Sequence, residues 1–259
     1  MSSTAKKLVF DIETIGEDFD KLDETTKSSL TRWIEREAYD KEEYSRLLDD
    51  IKNGLGFSPL TGEIVTIGVL DVEKNKGGIY FQAPNQKIER FEENGIVYEA
   101  CTEKEILERF WDISEKYDVF VTFNGRAFDV PFIMARSAIH EVRPKKNLMA
   151  GRYLYQQHAE AIHIDLLDQL SYMGAVRRKG SLHLWARAFG IKSPKGEGVT
   201  GDDVGTLFKQ KKYLDIARYN AGDLEATKIL YEKWEKYLNL WRIGFWKTKS
   251  TSYSVRSSS

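Results

Sequence analysis

Asp11 and Glu13 stand two residues apart near the end of an apolar run, in Val9-Phe10-Asp11-Ile12-Glu13-Thr14. Leu8, Val9 and Ile12 give that run the character of a strand. Strand side chains alternate faces, so the two carboxylates project to one side. Held that close they repel, and a divalent cation coordinated by both relieves the repulsion; the competing reading is a solvated strand end. Three other stretches carry residue types able to do chemistry. The segment Thr122-Phe123-Asn124-Gly125-Arg126-Ala127-Phe128-Asp129-Val130-Pro131 ends a strand in Asn-Gly, turns, and sets an acid at the start of a helix. Asp129 is there either a helix cap or a third carboxylate at the sheet end where Asp11 and Glu13 emerge. In Tyr219-Asn220-Ala221-Gly222-Asp223 the tyrosine and the acid lie four apart, on one helical face. Gly222 costs that helix up to about 1 kcal/mol relative to alanine, which fits a close approach there; the competing reading is a surface Tyr–Asp pair with an incidental glycine. The basic run Arg177-Arg178-Lys179, with Lys192 and Lys195, suits either phosphate or plain solvation.

The elements that must position these residues can be read in order. Helical spacing of Leu30, Trp33 and Ile34, then of Tyr44, Leu47, Leu48 and Ile51, predicts two helices over residues 17–52, inserted after the first strand and ended by Asn53-Gly54-Leu55-Gly56. Residues 63–72 form a strand, Lys74-Asn75-Lys76-Gly77-Gly78 a turn, and residues 79–83 a return strand. Thr102-Glu103-Lys104-Glu105 is a capping box that opens a helix carrying Ile106, Leu107, Phe110, Trp111 and Ile113. A buried strand at 118–123 and a helix at about 128–140 follow. Residues 141–160 read as a basic, aromatic-bearing loop or broken helix, and Ile162-His163-Ile164 as a short strand with Asp165 capping the next helix. Ser181 opens a helix closed by Gly190, and a long helix spans roughly 211–240. This is an α/β layout around one mixed sheet, with its first three strands antiparallel and the rest parallel. The expectation is one domain over residues 1–247 and a flexible tail at 248–259.

Composition narrows the classes. A hydrophobic fraction of 41% with 12% aromatics supplies a sizeable core and excludes disorder throughout. The single cysteine, Cys101, makes no internal disulfide, and no Cys/His pair has zinc-finger spacing. With no apolar run of membrane-spanning length and no signal-peptide core after Met1, the expected compartment is the cytoplasm. A net charge of −1 argues against coating nucleic acid by electrostatics alone. Charge is nevertheless uneven: residues 11–50 carry a net −8 and residues 141–195 a net +6. That arrangement suits a polyanion brought to a metal centre, and equally suits two solvated surfaces of opposite sign.

Asp-x-Glu on a first strand, Asn-Gly-x-x-x-Asp after a later one, and Tyr-x-x-x-Asp on a last helix occur here in this order. In that combination the chain resembles the DEDD 3′–5′ exonucleases of the ribonuclease H-like fold, in their tyrosine-bearing branch. More closely it is similar to stand-alone relatives of the exonuclease domain of family B DNA polymerases. The resemblance runs from about residue 6 to 235. It implies that Asp11, Glu13, Asp129 and Asp223 hold two divalent ions, Mg²⁺ or Mn²⁺. It implies that Tyr219 positions the attacking water, as histidine does in the sister branch, leaving His140, His158, His163 and His183 to structural or surface roles. Thr14 would lie beside the terminal nucleotide or hydrogen-bond its own turn, Asn124 would support the turn or the scissile strand, and Phe128 would stack on a base or pack in the core. Arg177, Arg178 and Lys195 would meet phosphates, and Asp165 and Asp168 would be structural. The implied substrate is the 3′ end of single-stranded nucleic acid, DNA before RNA, with nucleoside 5′-monophosphates released and no polymerase domain in cis. An exoribonuclease on the same site, or an inactive nucleic-acid-binding module, remain the alternatives.

Overall fold

The computed structural model describes residues 5–191 and 201–239; Lys192, Lys195 and the expected tail lie outside the described residues. Strand β1 (Lys7–Gly16) is followed by three helical segments, α1 (Glu24–Thr31), α2 (Ile34–Glu37) and α3 (Lys41–Gly54). Next come β2 (Gly62–Asp71), β3 (Lys76–Phe81), β4 (Phe91–Glu93), β5 (Ile96–Ala100) and α4 (Glu103–Ser114). Then follow β6 (Val119–Thr122), α5 (Asp129–Ile139), β7 (Ile162–Asp165), α6 (Leu166–Leu170), α7 (Leu182–Ala188), α8 (Val204–Lys209) and α9 (Tyr213–Tyr237). The seven strands form one sheet in the order β4-β5-β3-β2-β1-β6-β7. β1, β2 and β3 are antiparallel neighbours, while β6 and β7 run parallel to β1. The mixed sheet flanked by helices is thus the expected one, with β1 near its centre.

Alternation along β1 sorts its side chains between two cores. Leu8, Phe10 and Ile12 join Phe110 and Trp111 of α4 and Phe132 of α5 on one face. Val9 joins Ala217, Leu224, Leu230 and Trp234 of α9 on the other. Asp11 and Glu13 share the face of Val9 and therefore look toward α9. On the opposite face Trp111 donates its indole N–H to Ser137 Oγ at 2.9 Å, joining α4 to the helix that begins at Asp129.

Three local outcomes differ from the sequence reading. The insertion breaks into three helical pieces, with Ile34 buried but Trp33 43% exposed. A hairpin the sequence reading passed over, β4–β5, extends the sheet edge through Asn94-Gly95, both at positive φ as a two-residue hairpin turn requires. Helix α8 precedes the long α9 where only one helix was expected. The insertion returns to β1 through a tight seam. A Cβ on Gly16 would stand 2.6 Å from Leu55 Cβ and 2.8 Å from the Gly56 nitrogen. Among the described residues no helix is long and apolar enough to cross a membrane.

Candidate active site

The centre of the site is the carboxylate pair on β1. Asp11 is paired with Gly68 of β2 and Glu13 with Thr66, and the ladder slips by one residue directly after Glu13. Such a bulge bends a strand and re-aims its side chains, which ends regular pairing at the point where the acids emerge. From the other side α9 brings Asp223. One carboxylate oxygen from each of Asp11, Glu13 and Asp223 lies within 4.8 Å of the others. Three hard oxygen donors at that spacing fit a hard divalent cation.

Asp129 comes from across the sheet. Phe128 occupies the N-cap position of α5 without a side-chain capping bond, and Asp129 is the first helical residue. Its Oδ1 accepts the N–H of Ile12, between the two β1 acids, at 3.1 Å. The acid therefore ties α5 to β1. Burial is the largest influence on it and pushes its pKa up to about 7, with Asp165 and Asp223 adding to the rise against the backbone hydrogen bonds. Asp11 is raised well above the ordinary carboxylate range, first by its crowded surroundings and then by Asp129, Glu13 and Asp223. Its solvent exposure is only partial. Asp129 stands outside the group of three whose oxygens lie within 4.8 Å of one another, yet its charge adds to the repulsion on Asp11, a cost that bound cations would remove.

Tyr219 is 7% exposed, one helical turn before Asp223. Burial above all, and then the charges of Asp223, Glu13 and Asp11, hold its phenol protonated. Asn220 next to it was passed over in the sequence reading. It is fully buried and its Nδ2 donates to Asp11 Oδ2 at 2.8 Å. A signal for it existed: Asn220 is a polar residue within the buried stripe Ile216, Leu224 and Thr227 of α9.

The turn before Asp129 is held by the backbone. Asn124 adopts φ +68, and a Cβ on Gly125 would collide with Thr122 Oγ1. Buried Asp165 accepts the N–H groups of Asn124 and Arg126, each at 2.9 Å, and also that of Leu167 at the start of α6. The side chain of Asp165 is thereby used up on structure. Asp168 pairs with Arg152 at 2.8 Å. His163 is a buried strut: its Nδ1 meets the carbonyl of Leu148 at 3.1 Å and its Nε2 the Thr122 hydroxyl at 2.8 Å. A carbonyl only accepts, so the proton sits on Nδ1. Burial lowers the imidazole pKa to about 4, leaving it neutral.

The remaining expected contacts fall at different distances from this centre. Thr14 Oγ1 gives its proton to Gly56 O at 2.7 Å, fastening the end of the insertion beside Glu13. Phe128 is half-buried between Phe132 and the exposed Phe57, with ring centroids 5.5 and 6.4 Å away. Arg177 and Arg178 are exposed in the segment between α6 and α7. Lys195 lies outside the described residues.

The sheet order and the acid-rich end of β1 define the class as ribonuclease H-like, with the layout of a polymerase-type exonuclease domain. The family B DNA polymerase of the archaeon Pyrobaculum calidifontis has the same fold, with a TM-score of 0.56 and 17% identity over 90% of this chain and 25% of that one. DNA polymerase 1 of Sulfurisphaera ohwakuensis is 25% identical over 171 residues, which are 60% of this chain and 19% of the polymerase. The chain thus spans a fifth to a quarter of these relatives. Residues 64–240 match the family described as a predicted 3′–5′ exonuclease related to the exonuclease domain of PolB. The chain belongs to this family.

Proposed function

We propose that this chain is a metal-dependent 3′–5′ exonuclease of the tyrosine-bearing type. It removes nucleoside 5′-monophosphates from single-stranded 3′ ends, DNA in preference to RNA, and works as one domain over residues 1–247 in the cytoplasm. The observation that carries the reading is the convergence of Asp11, Glu13 and Asp223 within 4.8 Å, with Asp129 bonded to the backbone between the first two. Asp11, Glu13, Asp129 and Asp223 would hold two Mg²⁺ or Mn²⁺ ions. Bound there, such ions stabilise the attacking and leaving oxygens of an in-line displacement at phosphorus.

The protein's own groups have separate tasks. The carboxylates set where the reacting phosphate sits. Tyr219 stays protonated beside the acids, and its hydroxyl would hold the attacking water by a hydrogen bond and turn a water lone pair toward phosphorus. Phe128, with Phe57 beside it, offers an aromatic surface that accepts any base, which suits a strand end without sequence preference. Thr14 flanks the terminal nucleotide, Asn124 shapes the turn behind Asp129, and Arg177, Arg178 and Lys195 meet phosphates further along the strand. DNA is favoured because the relatives sharing the domain are DNA polymerases.

The test is shortening of matched 5′-labelled DNA and RNA oligonucleotides with Mg²⁺ or Mn²⁺. The reading expects a ladder of 3′-shortened products, faster on DNA, lost in EDTA and in Asp223→Ala. In Tyr219→Phe it expects kcat to fall roughly 100-fold. Full activity in EDTA or in Asp223→Ala contradicts it, and faster cleavage of RNA reverses the substrate assignment.

A further inference from the structure

Asn220 is a poor choice for packing. It is wholly buried in α9 against the sheet, where the surrounding stripe is apolar. Its Nδ2 donates to Asp11 Oδ2 at 2.8 Å. An ionised carboxylate only accepts, so with Asp11 charged, as a metal ligand must be, the amide turns its nitrogen toward Asp11 and its oxygen away from it. Among the described residues, that oxygen has no hydrogen-bond partner. Buried polar atoms left in this state are few in native proteins, and each calls for a reason. A leucine has nearly the shape of asparagine and would leave no orphaned oxygen. It would also lack the one group asparagine provides, an N–H aimed at Asp11.

The sheet makes room for this contact at one place. Gly68 lies directly opposite Asp11 in the β1–β2 ladder, on the face that looks toward α9. A Cβ at Gly68 would collide with Asn220 Oδ1, and would also stand 2.6 Å from Leu224 Cδ1 and 2.8 Å from Ile79 Cδ1. The glycine is therefore the gap through which the amide passes from the helix to the central strand.

We infer that Asn220, seated over Gly68, is a positioning residue for the carboxylate centre: it takes one oxygen of Asp11 and so fixes how Asp11 faces Glu13 and Asp223. The two carboxylate oxygens of Asp11 are thereby made inequivalent, one committed to the protein and one left for the cluster. Orienting a ligand through a neighbouring hydrogen bond is a general way to tune metal affinity, and loss of such a partner commonly weakens binding about 10–100-fold. The inference rests on the carboxylates holding divalent ions.

The experiment uses the full chain and its Asn220→Leu variant, with Asn220→Ala as a second. Two quantities are measured: the melting temperature in EDTA, and the Mn²⁺ dissociation constant by titration calorimetry. The expected result for Asn220→Leu is an unchanged or raised melting temperature together with Mn²⁺ affinity weakened about 10–100-fold. A folded variant with wild-type Mn²⁺ affinity overturns the inference. So does failure of both variants to fold, which would make the amide a requirement of packing. Absence of Mn²⁺ binding by the wild-type chain is a separate result, and it strikes the exonuclease reading itself.

Discussion

Asp129 carries a consequence that needs no substrate. Its pKa rises from an ordinary 3.8 to about 7, chiefly through burial. Between those values the folded chain keeps a proton that the unfolded chain has released. Stability from this group is therefore complete below about pH 4 and is lost as the pH climbs through about 7. Asp11, also raised, acts in the same direction. Without divalent ions the melting temperature should fall from pH 4 to pH 8, and Asp129→Asn should flatten that slope. Differential scanning calorimetry in EDTA checks both; a slope that is rising, or unchanged in Asp129→Asn, contradicts the assignment. At this scale the sequence disclosed its acids well. Asp11 with Glu13, and Tyr219 with Asp223, are short-range spacings on a strand and on a helix, and periodicity alone places each pair on one face. Whether Asp129 capped its helix or crossed to β1 was beyond local spacing. Asn220 is visible as a polar residue in the buried stripe of α9, but its partner is not, because that depends on the register that sets Gly68 opposite Asp11.

At the scale of elements, the helix beginning at Asp129 must be fixed relative to the sheet, and a buried ion cluster does this. Glu103, at the start of α4, receives Arg136 Nε at 2.8 Å and Nη2 at 2.6 Å from α5, and the N–H of Ile64 on β2 at 2.8 Å. His140 Nε2 lies 2.6 Å from the same carboxylate, and Arg136 Nη1 also reaches the Pro59 carbonyl at 3.3 Å. Burial alone would raise the Glu103 pKa, yet these partners hold it below the ordinary range. Glu103→Ala would leave the half-buried Arg136 without its counter-charge and the Ile64 N–H without its acceptor, and should cost about 2–3 kcal/mol, measurable by urea unfolding. A loss under about 1 kcal/mol would show the cluster to be no more than a surface pair. The capping box at Thr102 that begins this helix was plain in the sequence, as were the Ser181 and Gly190 ends of α7. The β4–β5 hairpin is written in the sequence too, as Asn94-Gly95 between short β-forming runs. The insertion was recognised by its periodicity, but no local pattern told that Gly56 would return to Gly16 and Thr14.

For the molecule as a whole, the uneven charge of the sequence is only partly expressed as free basic surface. Lys145 is engaged by Asp112 and Glu115, and Arg152 by Asp168. The acidic excess, by contrast, includes two of the acids that meet at the end of β1. A strand beginning 46 residues after β1 ends and a helix beginning 197 residues after it join β1 in one centre. The proposed activity requires this centre to hold two divalent ions among Asp11, Glu13, Asp129 and Asp223. Crystals soaked in Mn²⁺ and measured for anomalous scattering test it directly. Two peaks about 3.5–4 Å apart, both ligated by these four carboxylates, are the predicted result. Crystals saturated with Mn²⁺ that show no peak there, or peaks only elsewhere on the chain, would contradict the account.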